Sequence, residues 1–357
     1  MQRRRGVTAK DIAARLGIAV STVGRALSDD PRISAETTLK VQAVAAELGY
    51  VGNKAARMMR GAPSSILGLM VPDVRNSFYS AAAHALSGKM RAFGYQLVLS
   101  ETGDDPQLEL EQLKGLSAIQ AVGLIIVPSV DPHADSVKLL ESIPYVQLLR
   151  HHSSLDQQRF GIDDRMILDS ATSHLTALGH HRIAYIGGPS ELSTGTQRLQ
   201  GYRDALERSG ISEEDPDLVR LGPAGSHTHG VESLRSLLAL AAPPTAIVTG
   251  SVQATHGLLD EILARGISVP EELSVVGFGD EPGFSWWGGG LTTMALPVDE
   301  MVSNCATRLL DMVAPGAAAD PYEVVSPGRL QLRASTAPLD VSESNLRGTG
   351  SAVRRTT

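Results

Sequence analysis

A single cysteine in 357 residues, Cys305, rules out a disulfide within the chain, and its apolar neighbours point to a buried thiol. No apolar run approaches the ~20 residues that span a bilayer. Arg3, Arg4 and Arg5 resemble the start of a signal peptide, but the segment after them is polar and helical with no apolar core. A cytoplasmic protein is therefore expected. Phosphate loops are missing as well: Gly187-Gly-Pro-Ser190 is not G-x-G-x-x-G, and no G-x-x-x-x-G-K-[ST] occurs. The histidine clusters His151-His152, His180-His181 and His227-Thr-His229 have neither cysteine partners nor an H-E-x-x-H helix, and no G-x-S-x-G elbow is present. No cofactor, no metal and no enzymatic activity are expected.

What is present is uneven in charge. Residues 1–60 hold 11 Lys+Arg against 5 Asp+Glu, a net of +6, whereas residues 61–357 hold 21 against 34, a net of −13. A basic end on an acidic body is the electrostatic footprint of a nucleic-acid-binding domain joined to something that does not bind nucleic acid. With 42% hydrophobic and 20% charged residues, the whole is an ordinary globular composition, long enough for two or three domains.

The basic end is also patterned. Thr8 is a helix N-cap with Asp11 three residues on, Ile12, Ala13 and Leu16 form an apolar stripe, and Gly17 ends the helix. After a short turn, Val20 to Leu27 is a second helix with Val23 and Leu27 inward and Ser21, Thr22 and Arg25 outward. Two short helices around a Gly-containing turn make a helix-turn-helix. A third helix is capped by Ser34, carries Leu39, Val41, Val44 and Leu48 as its apolar face, and stops at Gly49. Val20 is ambiguous, since its spacing to Val23 and Leu27 also suits the core.

The motifs Val7-Thr-Ala-Lys-Asp-Ile-Ala13, Ser21-Thr-Val-Gly-Arg-Ala-Leu27, Ile33-Ser-Ala-Glu-Thr37, Glu47-Leu-Gly-Tyr50 and Asn53-Lys-Ala-Ala-Arg-Met-Met-Arg60 stand in order at spacings that resemble the LacI/GalR family of bacterial transcription regulators. The resemblance implies a DNA-binding domain over 1–52 and a hinge helix over 53–61. Val20, Ser21 and Arg25 would read bases, with Thr8, Thr22 and Arg32 on the backbone. Asn53, Ala56, Arg57 and Met59 would enter the minor groove, with Met59 as the wedge where Leu is usual. Two departures matter: Ala19 replaces a capping Ser or Thr, and Gly24 replaces the usual Ser. Each weakens the second helix by about 1 kcal/mol.

From Ile66 the pattern becomes strands alternating with helices, run through twice. That predicts two doubly wound parallel sheets and a cleft between two lobes. The resemblance extends to this region and implies a periplasmic-binding-protein-like effector domain over 62–336, with the chain crossing between lobes near 162, 292 and 324. The fold class expected is thus α/β, with a three-helix helix-turn-helix domain in front of a two-lobed effector domain. Residues 337–357 are polar enough to be a disordered tail. Leu339 and Leu346 fall short of the heptads a tetramerising helix needs, so a homodimer is expected.

Ligands of such sheets sit beyond the carboxyl ends of the strands. The loops there, with the resemblance, nominate Phe78 and Tyr79 as stacking rings, Arg198 as the gripping guanidinium, and Ser129, Arg150, Asp163, Thr194, Ser251 and Asp280 as polar lining. Sugar-binding relatives carry acids or amides where this chain has Leu149, Ser251, Val252 and Gly279, which makes a common neutral monosaccharide less secure than the resemblance suggests; the effector expected is a sugar or sugar derivative. Trp286 and Trp287 offer either a stacking surface or an interface. The expected function is a repressor of transcription whose affinity for a palindromic DNA operator is set by a small molecule, with a transport solute-binding protein as the alternative.

Overall fold

The computed structural model describes residues 7–28, 30–50, 64–155, 158–211, 215–314, 316 and 320–339. It divides into two compact units, residues 1–64 and 65–357.

The first unit contains α1 (Ala9–Leu16), α2 (Val20–Ala26) and α3 (Ala35–Glu47). Thr8 caps α1: its N–H and its hydroxyl both donate to Asp11 Oδ2 at 2.7 Å. Gly17 closes the helix in the left-handed region at φ 67°, a conformation that costs glycine nothing. Ala19 gives α2 no side-chain cap. Ile12, Ala13, Val23, Ala26, Val41 and Ala45 form the small core. Two inferences about packing are settled here. Val20 is 43% exposed and so belongs to the outer face of α2, not to the core. Leu39, expected on the inner face of α3, is 66% exposed, because a helical period drawn through Val41, Val44, Ala45 and Leu48 leaves it on the far side.

The second unit is built on two six-stranded sheets. In the first, β1 (Ile66–Val71), β2 (Gln96–Glu101), β3 (Gly123–Ile126), β4 (Tyr145–Leu148), β5 (Gln158–Ile162) and β11 (Tyr322–Ser326) lie in the order β11-β5-β4-β3-β1-β2, all parallel. In the second, β6 (Ile183–Gly187), β7 (Val219–Leu221), β8 (Ala246–Thr249), β9 (Ser274–Phe278), β10 (Thr292–Ala295) and β12 (Arg329–Gln331) lie in the order β12-β10-β9-β8-β6-β7. Only β12 is antiparallel. The central strands β3, β4, β6, β8 and β9 are buried along their whole length, as strands with helices on both faces must be.

The helices are α4 (Ser77–Ala92), α5 (Pro106–Ala118), α6 (Ala134–Leu140), α7 (Asp164–Ala177), α8 (Ser193–Arg208), α9 (His227–Leu238), α10 (Val252–Arg265) and α11 (Val298–Val313). The chain passes between sheets three times: from β5 into α7, from β10 into α11, and from β11 to β12. Cys305 is buried on α11, and burial pushes its thiol far up.

The ordered body runs past the boundary set from composition. Ser335 is buried and donates to the Val275 carbonyl at 2.6 Å, the Ala337 N–H donates to Ser274 Oγ, and the Leu339 N–H to the Leu178 carbonyl. Residues 337–339 thus lie along the second lobe, although their composition alone suggested a solvated tail. Leu346 lies outside the described residues. Among the described residues no helix is long and apolar enough to cross a membrane, and no cluster of His, Cys, Asp or Glu is arranged to hold a metal.

Candidate functional site

On the head, α2 presents Val20, Ser21 and Arg25 to solvent on one face, with Thr22 half-buried beside them. A helix of seven residues held by a buried back face leaves these side chains on a rigid edge, which is what groove reading requires. Arg32 is paired: its guanidinium and backbone N–H converge on Asp30, with Nη2 at 2.6 Å from Oδ2. The hydrogen bonds from Arg32 hold the Asp30 carboxyl down at about 2. Thr8 spends its hydroxyl on Asp11, leaving it as a cap first. The hinge candidates Asn53, Ala56, Arg57 and Met59 lie outside the described residues.

In the second unit, a cavity of about 850 Å³ opens between the carboxyl ends of the two sheets. Phe78, Tyr79, Arg150, Thr194, Arg198 and Ser251 all line it. Asn76 caps α4 by accepting from the Phe78 N–H, and that turn delivers Phe78 and Tyr79 edge to face, ring centroids 5.3 Å apart. Ser251 caps α10 through the Ala254 N–H and is itself buried.

Arg198 is fixed from three sides. Its Nε donates to Asp164 Oδ1 at 2.6 Å, its Nη1 donates to the Gly250 carbonyl at 2.7 Å, and its guanidinium carbon stands 4.0 Å over the Phe278 ring. Its Nη2 is buried with no partner among the described residues. A guanidinium that is 7% exposed and has one donor unspent is prepared for an acceptor brought by a ligand. Burial pushes the Asp164 carboxyl up, and the Arg198 guanidinium pulls it back toward the ionised form. Below them Tyr185 is fully buried; its phenol reaches into space that a Cβ on Gly187 or Gly250 would occupy, 2.2 and 2.4 Å from its hydroxyl oxygen.

Arg150 is paired to Asp104 through both terminal nitrogens, the longer contact being 3.3 Å. Arg75 is paired to Asp73 at 2.8 Å, and its hydrogen bonds hold that carboxyl low. Neither Asp104 nor Asp73 stood among the expected site residues, yet both line the cavity. The loop sequences contain them; only the fold says which arginine each one meets.

Three expected residues are not brought in. Asp280 is held by Arg333, with Oδ1 at 2.7 Å and Oδ2 at 3.0 Å from its two nitrogens, and it also accepts from Thr293. Burial would raise its carboxyl, but these bonds outweigh it and hold it low. Asp163 is the N-cap of α7, accepting from the Met166 N–H at 2.9 Å. Ser129 is 2% exposed, its N–H given to the Glu109 carboxylate, and Val130 takes its place at the wall. Trp286 is 76% exposed and Trp287 packs on the second-lobe core, so neither ring lines the cavity. Three of the four substituted positions line it, Leu149, Ser251 and Val252, whereas Gly279 does not. Leu149 has a left-handed backbone at φ 64°, which is rare for a branched side chain and marks a position held by its surroundings.

Comparison with known proteins agrees with this arrangement in both units. Residues 8–53 match the family described as bacterial regulatory proteins, lacI family, and residues 172–336 match the periplasmic binding protein-like domain. The HTH-type transcriptional regulator DegA of Bacillus subtilis (strain 168) is 29% identical over 338 residues, 93% of this chain and 99% of that protein. A lac repressor dimer bound to operator and the anti-inducer ONPF superposes with a TM-score of 0.79 at 25% identity, covering 93% of this chain and all of that one. The complex of the regulator CelR with cellobiose gives 0.68 at 27% identity, covering 92% and 99%. These relatives are regulators rather than enzymes, and the chain joins a LacI-family helix-turn-helix domain to a periplasmic-binding-protein-like domain, as its LacI/GalR-family homologues do.

Proposed function

We propose that this regulator is a repressor that binds a palindromic operator as a homodimer and is controlled by a small molecule in the central cavity. The observation that carries the cavity's part is the unspent Nη2 of buried Arg198, held between Asp164, Gly250 and Phe278. On the head, Arg25 reaches a guanine edge, Ser21 and Val20 touch neighbouring bases, and Thr22 and Arg32 hold phosphates, Arg32 after leaving Asp30. The hinge, Asn53 to Arg60, folds when two subunits bring their hinges together, because eight residues alone are too short for a stable helix. A ligand that prefers the other lobe arrangement opposes that pairing, and it shifts the equilibrium only by its difference in affinity.

The ligand class follows from the lining. Arg150, Arg75 and Arg198 each already face a carboxylate, so the wall presents little uncompensated charge, and Leu149, Val252, Phe278 and Phe78 make much of it apolar. A neutral sugar derivative with an apolar face, such as a glycoside, fits this better than a free sugar acid. The relatives point the same way, since one is bound to ONPF and another to cellobiose. A solute-binding protein of a transport system has no use for a DNA-reading head, so that alternative is not favoured. The regulator acts where its DNA is, in the cytoplasm.

The test is a thermal-shift panel of neutral glycosides, free sugars and sugar acids on the full chain, followed by operator binding with each hit. A glycoside that raises the melting temperature and releases operator supports the reading; hits confined to sugar acids, or hits with no effect on DNA, oppose it.

A further inference from the structure

A second cavity of about 390 Å³ adjoins the first where the chain crosses between lobes. Arg159, Phe160 and Glu323 reach it from the edge strand β11 and its neighbour β5 of the first lobe, and Ser193 and Gln197 from α8 of the second. Leu149 and Arg150 stand between the two cavities and line both.

Most charged groups around it are spent. Arg150 faces Asp104, Asp164 faces Arg198, Arg165 faces Asp204, and Asp163 caps its own helix. Arg159 is different. Among the described residues no hydrogen bond or ion pair reaches its guanidinium, and its Nε is buried without an acceptor. Burial, and after it the nearby Arg159 charge, disfavour protonation of the half-buried His151 ring, and the His151 backbone N–H donates to Ser193 Oγ at 3.1 Å. An enclosed guanidinium nitrogen without an acceptor costs free energy that a bound oxyanion removes.

We infer that the crossover cavity is a second small-molecule site, which takes a compact anion through a carboxylate or phosphoryl group held by Arg159, with the exposed Gln197 amide and the His151 ring beside it. The exposed Glu323 carboxylate, on the residue paired in register with Arg159, also lines the cavity and disfavours polyanions. Because the walls come from both lobes, an anion held here favours the lobe arrangement that keeps them together. By linkage it changes affinity at the central cavity and for DNA.

The experiment uses the full chain in buffers matched for ionic strength with chloride, with inorganic phosphate and pyruvate as separate probes. Either probe should raise the melting temperature saturably, by about 2 °C once well above its dissociation constant. Arg159→Gln should lose that increment whatever its own baseline, and Arg165→Gln, whose arginine is already paired, should keep it. A phosphate-only response identifies a phosphoryl ligand, and a pyruvate-only response a carboxylate. If neither probe shifts the parent, or if Arg159→Gln responds as fully as the parent, the cavity is not an anion site.

Discussion

Arg198 on α8 and Asp164 on α7 form an ion pair at 2.6 Å in which both side chains are less than a tenth exposed. The pair ties the floor of the cavity to the first lobe crossing. Arg198→Ala leaves a carboxylate buried without its partner, so it should cost about 3–5 kcal/mol of stability as well as the response to the ligand. Adding Asp164→Asn should return part of the stability but none of the response. Calorimetry with and without the ligand checks both; an Arg198→Ala protein that melts like the parent and still releases DNA contradicts the assignment.

Arg25 is exposed on α2. Arg25→Ala should lower the preference for operator over random duplex by about 1–3 kcal/mol. The check is anisotropy against both DNAs at one salt concentration. Equal losses on the two would make Arg25 a phosphate contact.

Gly24 sits within α2, and a Cβ added there meets nothing within 4 Å. Gly24→Ala should therefore stabilise the head by about 1 kcal/mol and slow amide exchange of Val23 to Leu27 about fivefold. Unchanged exchange would mean that the head does not open through α2.

Glu261 on α10 lies between Arg235 and Arg265, whose hydrogen bonds lower its carboxyl from the usual 4.5 to about 2. A depressed carboxyl contributes stability that is complete above 4.5 and fades as pH falls toward 2. Glu261→Gln should therefore melt below the parent at pH 7, and the gap should narrow in acid below about pH 4.5. A gap independent of pH would assign the loss to packing alone.

The helix-turn-helix was legible in the sequence because its helices are capped, short and local. Thr8, Gly17 and Ser34 mark ends that the structure keeps within a residue. The buried strands β1 and β8 were legible for the same kind of reason, each being one uninterrupted apolar run. The later lobe crossings were harder: β10 has four residues and β12 three, too few for a period to show, and their place came from family resemblance. Six of the nine residues expected at the cavity do line it, since strand ends select the loops. Asp163 and Asp280 could not be placed, because a loop carboxylate looks the same whether it faces a ligand, caps a helix or meets Arg333 some fifty positions later. Arg150 was named without Asp104, 46 residues away, for the same reason. Partner choice between distant side chains is a property of the fold and leaves no local mark.

The most direct measurement is selection of duplexes by the full chain from a random pool at physiological ionic strength, followed by titration of the enriched sequence against a shuffled one. The account predicts a two-fold symmetric site bound about 10³-fold or more tightly than the shuffled control, with that preference reduced by a ligand of the central cavity. Enrichment of no inverted repeat, and equal affinity for the two duplexes with or without ligand, would contradict it.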